Sequence, residues 1–209
     1  MATTMHPNDV QTYNEVAMGV HAPIYSYYAD RIVERTGVVS GCCLDVGCGG
    51  GYLGLALARI TELDFVLFDR CQEMLCCAKH NIVHLKLGRR ARPLRGNVQA
   101  IPLTDDSVDL VVSRGSLPFW DNLPTAFGEI HRVLRQGGFA YIGGGLGDPA
   151  MRAELEQRLH RRYPEWGRKN RRPPQRANHE YTDALTAAQI DPFWVNRSDE
   201  GLWIIFRKE

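Results

Sequence analysis

Eleven residues constrain this chain more than any others: Leu44-Asp-Val-Gly-Cys-Gly-Gly-Gly-Tyr-Leu-Gly54. They join a short apolar run of strand type, Cys42–Val46, to a Leu- and Ala-rich segment of helical pattern, Tyr52–Ile60. Glycines at a strand-to-helix turn let the backbone reverse sharply and let a ligand approach the main chain closely. The helix N-terminus beyond them offers N–H groups that no helical carbonyl satisfies, suited to a carboxylate or phosphate. The same alternation recurs downstream. Strand character returns at Leu63–Phe68, near Leu94, at Val108–Val112 and at Gly138–Ile142, with helical segments at Gln72–Leu85 and about Pro124–Leu134. Two short helices, 10–18 and 22–36, precede the first strand, hinged at Gly19 and Pro23. A helix follows Asp148, a Pro- and Arg-rich linker spans about 164–178, and a short helix starts at Thr182. The chain closes on Phe193–Asn196 and Leu202–Phe206, whose short link reads as a hairpin. Alternation on this scale dictates an α/β fold: a doubly wound, mostly parallel sheet with an antiparallel hairpin at its C-terminal edge.

Composition removes several classes of protein. The 209 residues suffice for one domain with a buried core, and 44% hydrophobic with 23% charged residues exclude a disordered or fibrous chain. No run approaches the roughly 18 apolar residues of a membrane span. The first thirty residues, with His6, Asp9, Glu15, His21 and Asp30, lack the apolar core of a signal peptide. Six cysteines sit in apolar runs, partly as adjacent pairs, and read as reduced thiols of a cytoplasmic protein. None has zinc-ligand spacing, so no metal is expected. A soft-metal trap by Cys71, Cys76 and Cys77 is disfavoured, because their spacing does not face them together on a helix.

Asp69 ends the second strand, eighteen residues past Gly51, where a carboxylate can accept hydrogen bonds from a ribose diol. Glycine turn and acid together indicate a nucleoside-containing ligand at the carboxyl edge of the sheet. Gly49-Gly-Gly51-Tyr-Leu-Gly54 is a literal dinucleotide fingerprint, which taken alone is weak. Asp45, just before the first glycine, would repel a diphosphate and suits a ligand bearing an ammonium and a sulfonium.

Four ordered segments then resemble one family. Leu44–Gly51 is similar to the first motif of class I S-adenosylmethionine-dependent methyltransferases. Phe68-Asp-Arg-Cys-Gln-Glu-Met-Leu75 resembles the segment with their ribose-binding acid. Asn97–Ser113 resembles the adenine loop and fourth strand, and Glu129–Ile142 the helix and strand that follow. Ser113-Arg-Gly-Ser116 with Phe119-Trp120 is similar to a subgroup of small stand-alone methyltransferases. The resemblance implies a seven-stranded Rossmann-like sheet and S-adenosylmethionine as cofactor. Gly47 and Gly49 would pass under its methionine part, with Asp45 holding the turn. Asp69 would take the ribose hydroxyls, Arg70 and Met74 would flank the adenine, and Asn97 and Val98 would meet its edge. Ser113 and Arg114 would close the site beneath the sulfonium. Asn97 departs from the Asp frequent in the family; its carbonyl still accepts a hydrogen bond. The implied plan is one methyltransferase domain, 1–209: an N-terminal helical cap (1–40), a cofactor-binding core (41–145), a basic substrate-side insertion (146–190) and the terminal hairpin (191–209).

Methyl transfer from a sulfonium is an in-line displacement at an activated carbon, so alignment supplies much of the rate and no fixed dyad is required. Candidate catalytic residues are those the fold places over the methyl: Arg114, as an anchor for a carboxylate or phosphate, and His21 and Tyr25 of the cap. Tyr13, Ser116 and Trp120 are candidate substrate contacts. His131 is read as structural. Residues 151–180 carry nine Arg or Lys against four acids, a local charge of +5 in a chain of net +1. Leaving the fifth strand, that segment emerges at the ligand edge, which favours a small anionic substrate. RNA is the second reading, with Tyr163, Trp166 and Tyr181 as stacking partners. An NAD-dependent oxidoreductase and a non-catalytic scaffold are further alternatives. Asp191-Pro-Phe-Trp194 superficially resembles an amino-methyltransferase box, but it leads into a late strand rather than following the fourth.

Overall fold

The computed structural model describes residues 7–166 and 176–209. Seven strands form one sheet in the order β3-β2-β1-β4-β5-β7-β6, where β1 is Ser40–Val46, β2 Glu62–Asp69, β3 Ala91–Arg95, β4 Val108–Arg114, β5 Leu134–Gly144, β6 Phe193–Ser198 and β7 Gly201–Arg207. The first five are parallel; β7 runs antiparallel between β5 and the edge strand β6. The strand order reverses direction at β1/β4, the place where ligands meet such sheets.

Successive residues of the central strands serve opposite faces. Phe65 and Leu67 join one hydrophobic cluster, while Val66 and Phe68 join the other. Both faces are therefore covered, which explains apolar runs rather than alternation in the sequence. One layer comprises α1 (Pro7–Glu15), α2 (Ala22–Thr36), α3 (Tyr52–Leu57), α4 (Gln72–His84) and α6 (Pro149–Arg162). The other comprises α5 (Leu123–Val133) and α7 (Asn178–Ala187). Phe127, fully buried in the second layer, stacks edge-on against Trp120 and Phe206. Truncating such a side chain costs about 3–5 kcal/mol.

Several boundaries differ from the sequence expectation. The hinge at Gly19 is a π-helical turn, Val16–Val20, whose end is closed by His21 N–H donating to Val16 O. The helix expected from Thr182 starts at Asn178, because the Glu180 carboxylate accepts from Ala177 N–H at 2.7 Å. Strand β5 begins at Leu134, pairing with Val108 before a register shift that absorbs the glycine pair 137–138. Most of the expected linker falls outside the described residues.

Candidate active site

The turn after β1 is fixed by main-chain bonds to β2. Gly47 N–H and Cys48 N–H both donate to Phe68 O, at 2.8 and 3.1 Å. Gly47 has φ +66°, and a Cβ there would lie 2.2 Å from the Ser116 Cβ. The turn thus requires glycine for conformation and for close approach of the loop after β4. Asp69 uses both carboxylate oxygens on the same architecture: Oδ2 accepts from Gly49 N–H at 2.8 Å and Oδ1 from Cys71 N–H at 2.9 Å. Burial raises its pKa against those bonds. Asp45 is more deeply placed. Its Oδ2 accepts from Gly54 N–H at 2.9 Å, and burial, above all, pushes its pKa up to about 7.

A cavity of about 390 Å³ opens at the carboxyl ends of β1, β2 and β4. Gly47, Gly49, Asp69, Arg70, Met74, Asn97 and Val98, all expected at the cofactor, line it. Asp45 and Ser113 do not. Asp45 holds the turn from beneath, and Ser113 is wholly buried, its Oγ 2.7 Å from Ser116 Oγ. Asp45 thus keeps the turn-holding place expected of it, and Ser113 lies one layer behind the cavity lining. Phe68 and Cys71 also line the cavity, although neither was expected at the cofactor; their closeness to Asp69 is the available signal.

The adenine-loop segment is clamped from α5. Glu129 Oε2 accepts from Ile101 N–H at 2.7 Å, while Arg132 donates to Ile101 O and Leu103 O, both at 2.8 Å. The paired guanidinium holds the Glu129 carboxyl below its ordinary range. Asn97 Oδ1 accepts from Gln99 N–H at 3.1 Å, so its carbonyl first serves a local turn.

On the other side the cavity is walled by Tyr13, Arg114, Ser116, Phe119, Trp120 and Trp166. Arg114 donates through Nη2 to Gly145 O at 2.6 Å and lies over the rings of Tyr25 and Tyr28, at 5.0 and 5.9 Å. Tyr25 is buried behind Arg114, its ring beneath the guanidinium, and does not line the cavity. His21 is likewise outside the lining, edge-on to Trp166 with ring centroids 6.3 Å apart. Tyr13 and Trp166 pack at 5.4 Å.

Among the described residues of the basic segment, four arginines have partners within the chain. Arg152 donates to Asp199 O, Arg158 pairs with Glu154 at 3.6 Å, and Arg162 lies over Tyr163. Arg176 donates to Trp120 O at 2.9 Å, touching the cavity wall from behind. Arg168, Lys169, Arg171 and Arg172 lie outside the described residues. Of the aromatics expected to stack on RNA, Tyr181 is fully buried, Tyr163 donates to Glu15 Oε2 at 3.4 Å, and Trp166 faces the cavity.

A cradle of left-handed glycines, a half-buried acid at the end of β2 and an apolar slot over Met74 and Val98 fit an adenosyl group with a short charged tail. Known proteins agree. Residues 44–142 match the methyltransferase domain model. A protein of Methanococcus maripaludis, assigned as an S-adenosyl-L-methionine-dependent methyltransferase, superposes over all of this chain and 97% of its own, with TM-score 0.88 and 34% identity. The chain belongs to the class I S-adenosylmethionine-dependent methyltransferases. A methyltransferase of Aquifex aeolicus shares the fold at TM-score 0.69 and 16% identity, covering 97% of this chain and 98% of that one. Among curated relatives, the malonyl-[acyl-carrier protein] O-methyltransferase of Pectobacterium atrosepticum is 33% identical over 128 residues, 58% of this chain and 48% of that protein. The demethylmenaquinone methyltransferase of Chlorobaculum tepidum is 30% identical over 99 residues, 47% and 38% respectively. The chain thus spans about half the length, or less, of these curated relatives. S-adenosylmethionine is the cofactor of this methyltransferase family, and among the described residues no helix is long and apolar enough to cross a membrane.

Proposed function

We propose that this methyltransferase transfers a methyl group from S-adenosylmethionine to a small anionic molecule. The observation that carries the reading is Arg114: a guanidinium fixed at the cavity wall, which forms no ion pair with a carboxylate among the described residues. Such a cation sits ready for a carboxylate or phosphate on the acceptor. The cofactor supplies a methyl carbon on a positively charged sulfur, so that an acceptor lone pair forms the new bond as the C–S bond breaks. The chain's residues bind and align. The main chain at Gly47 and Gly49 runs beneath the tail, Asp69 accepts from the ribose diol, Met74 and Val98 flank the adenine, and Asn97 meets its edge. Arg114 orients the acceptor, which lies against Tyr13 and Trp120. The demethylmenaquinone relative supports a small acceptor over RNA, and the malonyl-[acyl-carrier protein] relative supports an acidic group on the acceptor. The loss of Tyr181 as a stacking surface supports it further.

Incubation with methyl-labelled S-adenosylmethionine, a panel of small carboxylates and phosphates, and bulk RNA tests this directly. Label is expected in one small acid. Label in RNA alone would overturn the acceptor class, and label in neither would overturn turnover.

A further inference from the structure

The wall that faces the acceptor is made of carbon, although its sequence, Ser116-Leu-Pro-Phe-Trp120, suggests a polar contact at Ser116. A serine hydroxyl has one proton and two lone pairs. The Ser116 proton goes to Val46 O at 3.1 Å, and its lone pairs receive Trp120 Nε1–H at 3.0 Å and the Ser113 hydroxyl at 2.7 Å. Nothing remains for a ligand. The same bond consumes the one donor of the Trp120 indole, whose ring is further held edge-on to Phe127, at 5.9 Å, while Arg176 takes its carbonyl. Ser116 is therefore a positioning residue that pins an aromatic ring against the turn at Gly47.

Beside that ring stands Phe119, a large aromatic side chain 42% exposed and lining the same cavity. Tyr13 and Trp166, packed together, contribute the cap's aromatic surface. Tyr13, Phe119, Trp120 and Trp166 thus share one wall of the cavity with Arg114, while Phe68 and Arg70 line its opposite end. Asp121 stands exposed at the rim, where water screens its charge.

Resting on the methyl-transfer reading above, we infer that the acceptor is an amphipathic acid: a flat apolar body against Phe119 and Trp120, with its anionic end at Arg114. A polyol acid placed there would surrender hydrogen bonds to water and find ring carbons in return. An apolar amide would fill the wall and leave the guanidinium uncompensated.

The test titrates the protein, first saturated with S-adenosylhomocysteine, with 3-phenylpropionate, 3-phenylpropionamide and gluconate, followed by calorimetry. The phenyl acid is expected to bind at least tenfold tighter than either of the others. Phe119→Ser should weaken the phenyl acid about tenfold and S-adenosylhomocysteine less than that. Arg114→Gln should erase the difference between acid and amide. Gluconate binding as tightly as the phenyl acid, equal binding of acid and amide, or no binding of the phenyl acid would overturn the inference while leaving the cofactor reading intact. Failure of S-adenosylhomocysteine itself to bind would overturn both. Circular dichroism of each variant confirms that it is folded.

Discussion

The two ends of the cavity are built on different principles. At the end proposed for adenosine, Gly47, Gly49, Asp69 and Val98 come from the ends of neighbouring strands and the loops that leave them, and the surface offered is mostly main chain and one carboxylate. At the acceptor end, Tyr13, Arg114, Trp120 and Trp166 come from elements spread over more than 150 residues and act through side chains. Backbone-built sites leave short, ordered motifs in a sequence. Side-chain-built sites leave scattered residues whose convergence only the fold reveals.

The sharpest way to break the comparison is at the residue both ends share. Gly47→Val would force a side chain into left-handed backbone and into the Ser116 Cβ. The strain alone is about 1–3 kcal/mol. Affinity for S-adenosylmethionine is expected to fall more than a hundredfold, with a lower melting temperature. Retained affinity in calorimetry would separate the two ends.

The turn beneath the proposed adenosine end also carries a pH signature. Asp45 has a folded pKa of about 7, well above the ordinary value of 3.8, because burial favours its neutral form. The folded state thus holds a proton that the unfolded chain releases. The stability it contributes is complete below about pH 4 and is lost as pH rises through about 7, at up to about 1.4 kcal/mol per pH unit. Asp45→Asn, which keeps an acceptor for Gly54 N–H, should remove that slope. Melting curves of both proteins from pH 4 to 8 check it; parallel profiles would contradict the assignment.

Asp69→Ala is expected to cost about 1.5–3 kcal/mol of cofactor affinity, the worth of a charge-assisted hydrogen bond. It should leave acceptor-side fluorescence unchanged. The smallest effect is expected at Tyr28→Phe. The Tyr28 hydroxyl donates to Glu200 O at 2.6 Å and accepts from Gly147 N–H at 3.1 Å, bracing the loop that receives Arg114. Its removal should lower stability by about 0.5–1.5 kcal/mol per bond lost and weaken acceptor binding without changing cofactor affinity. A change in cofactor affinity of the same size would blur the division.

Legibility followed the same division. The alternation of strands and helices, the hairpin and the gathering of seven of the nine expected cofactor residues on one cavity could be read because each depends on local pattern. Ser113 lies one layer behind the lining, since sequence does not tell which way a strand residue turns at a sheet's edge. At the acceptor end, Ser116 looked like a ligand contact until its three hydrogen bonds were counted. Tyr25 lies beneath the Arg114 guanidinium, a relation across 89 residues that no spacing rule encodes. Trp166 was visible only as an aromatic in a basic run, yet it completes the cavity with Tyr13. The starts of β5 and α7 were missed because a register shift and the Glu180 carboxylate, rather than propensity, set them.

The central claim is that this sheet edge holds S-adenosylmethionine. Parallel calorimetric titrations with S-adenosylmethionine, S-adenosylhomocysteine and NAD test it most directly. Micromolar binding of the first two, with none for NAD, is the expected result. Binding of NAD alone, or of none of the three, would contradict it.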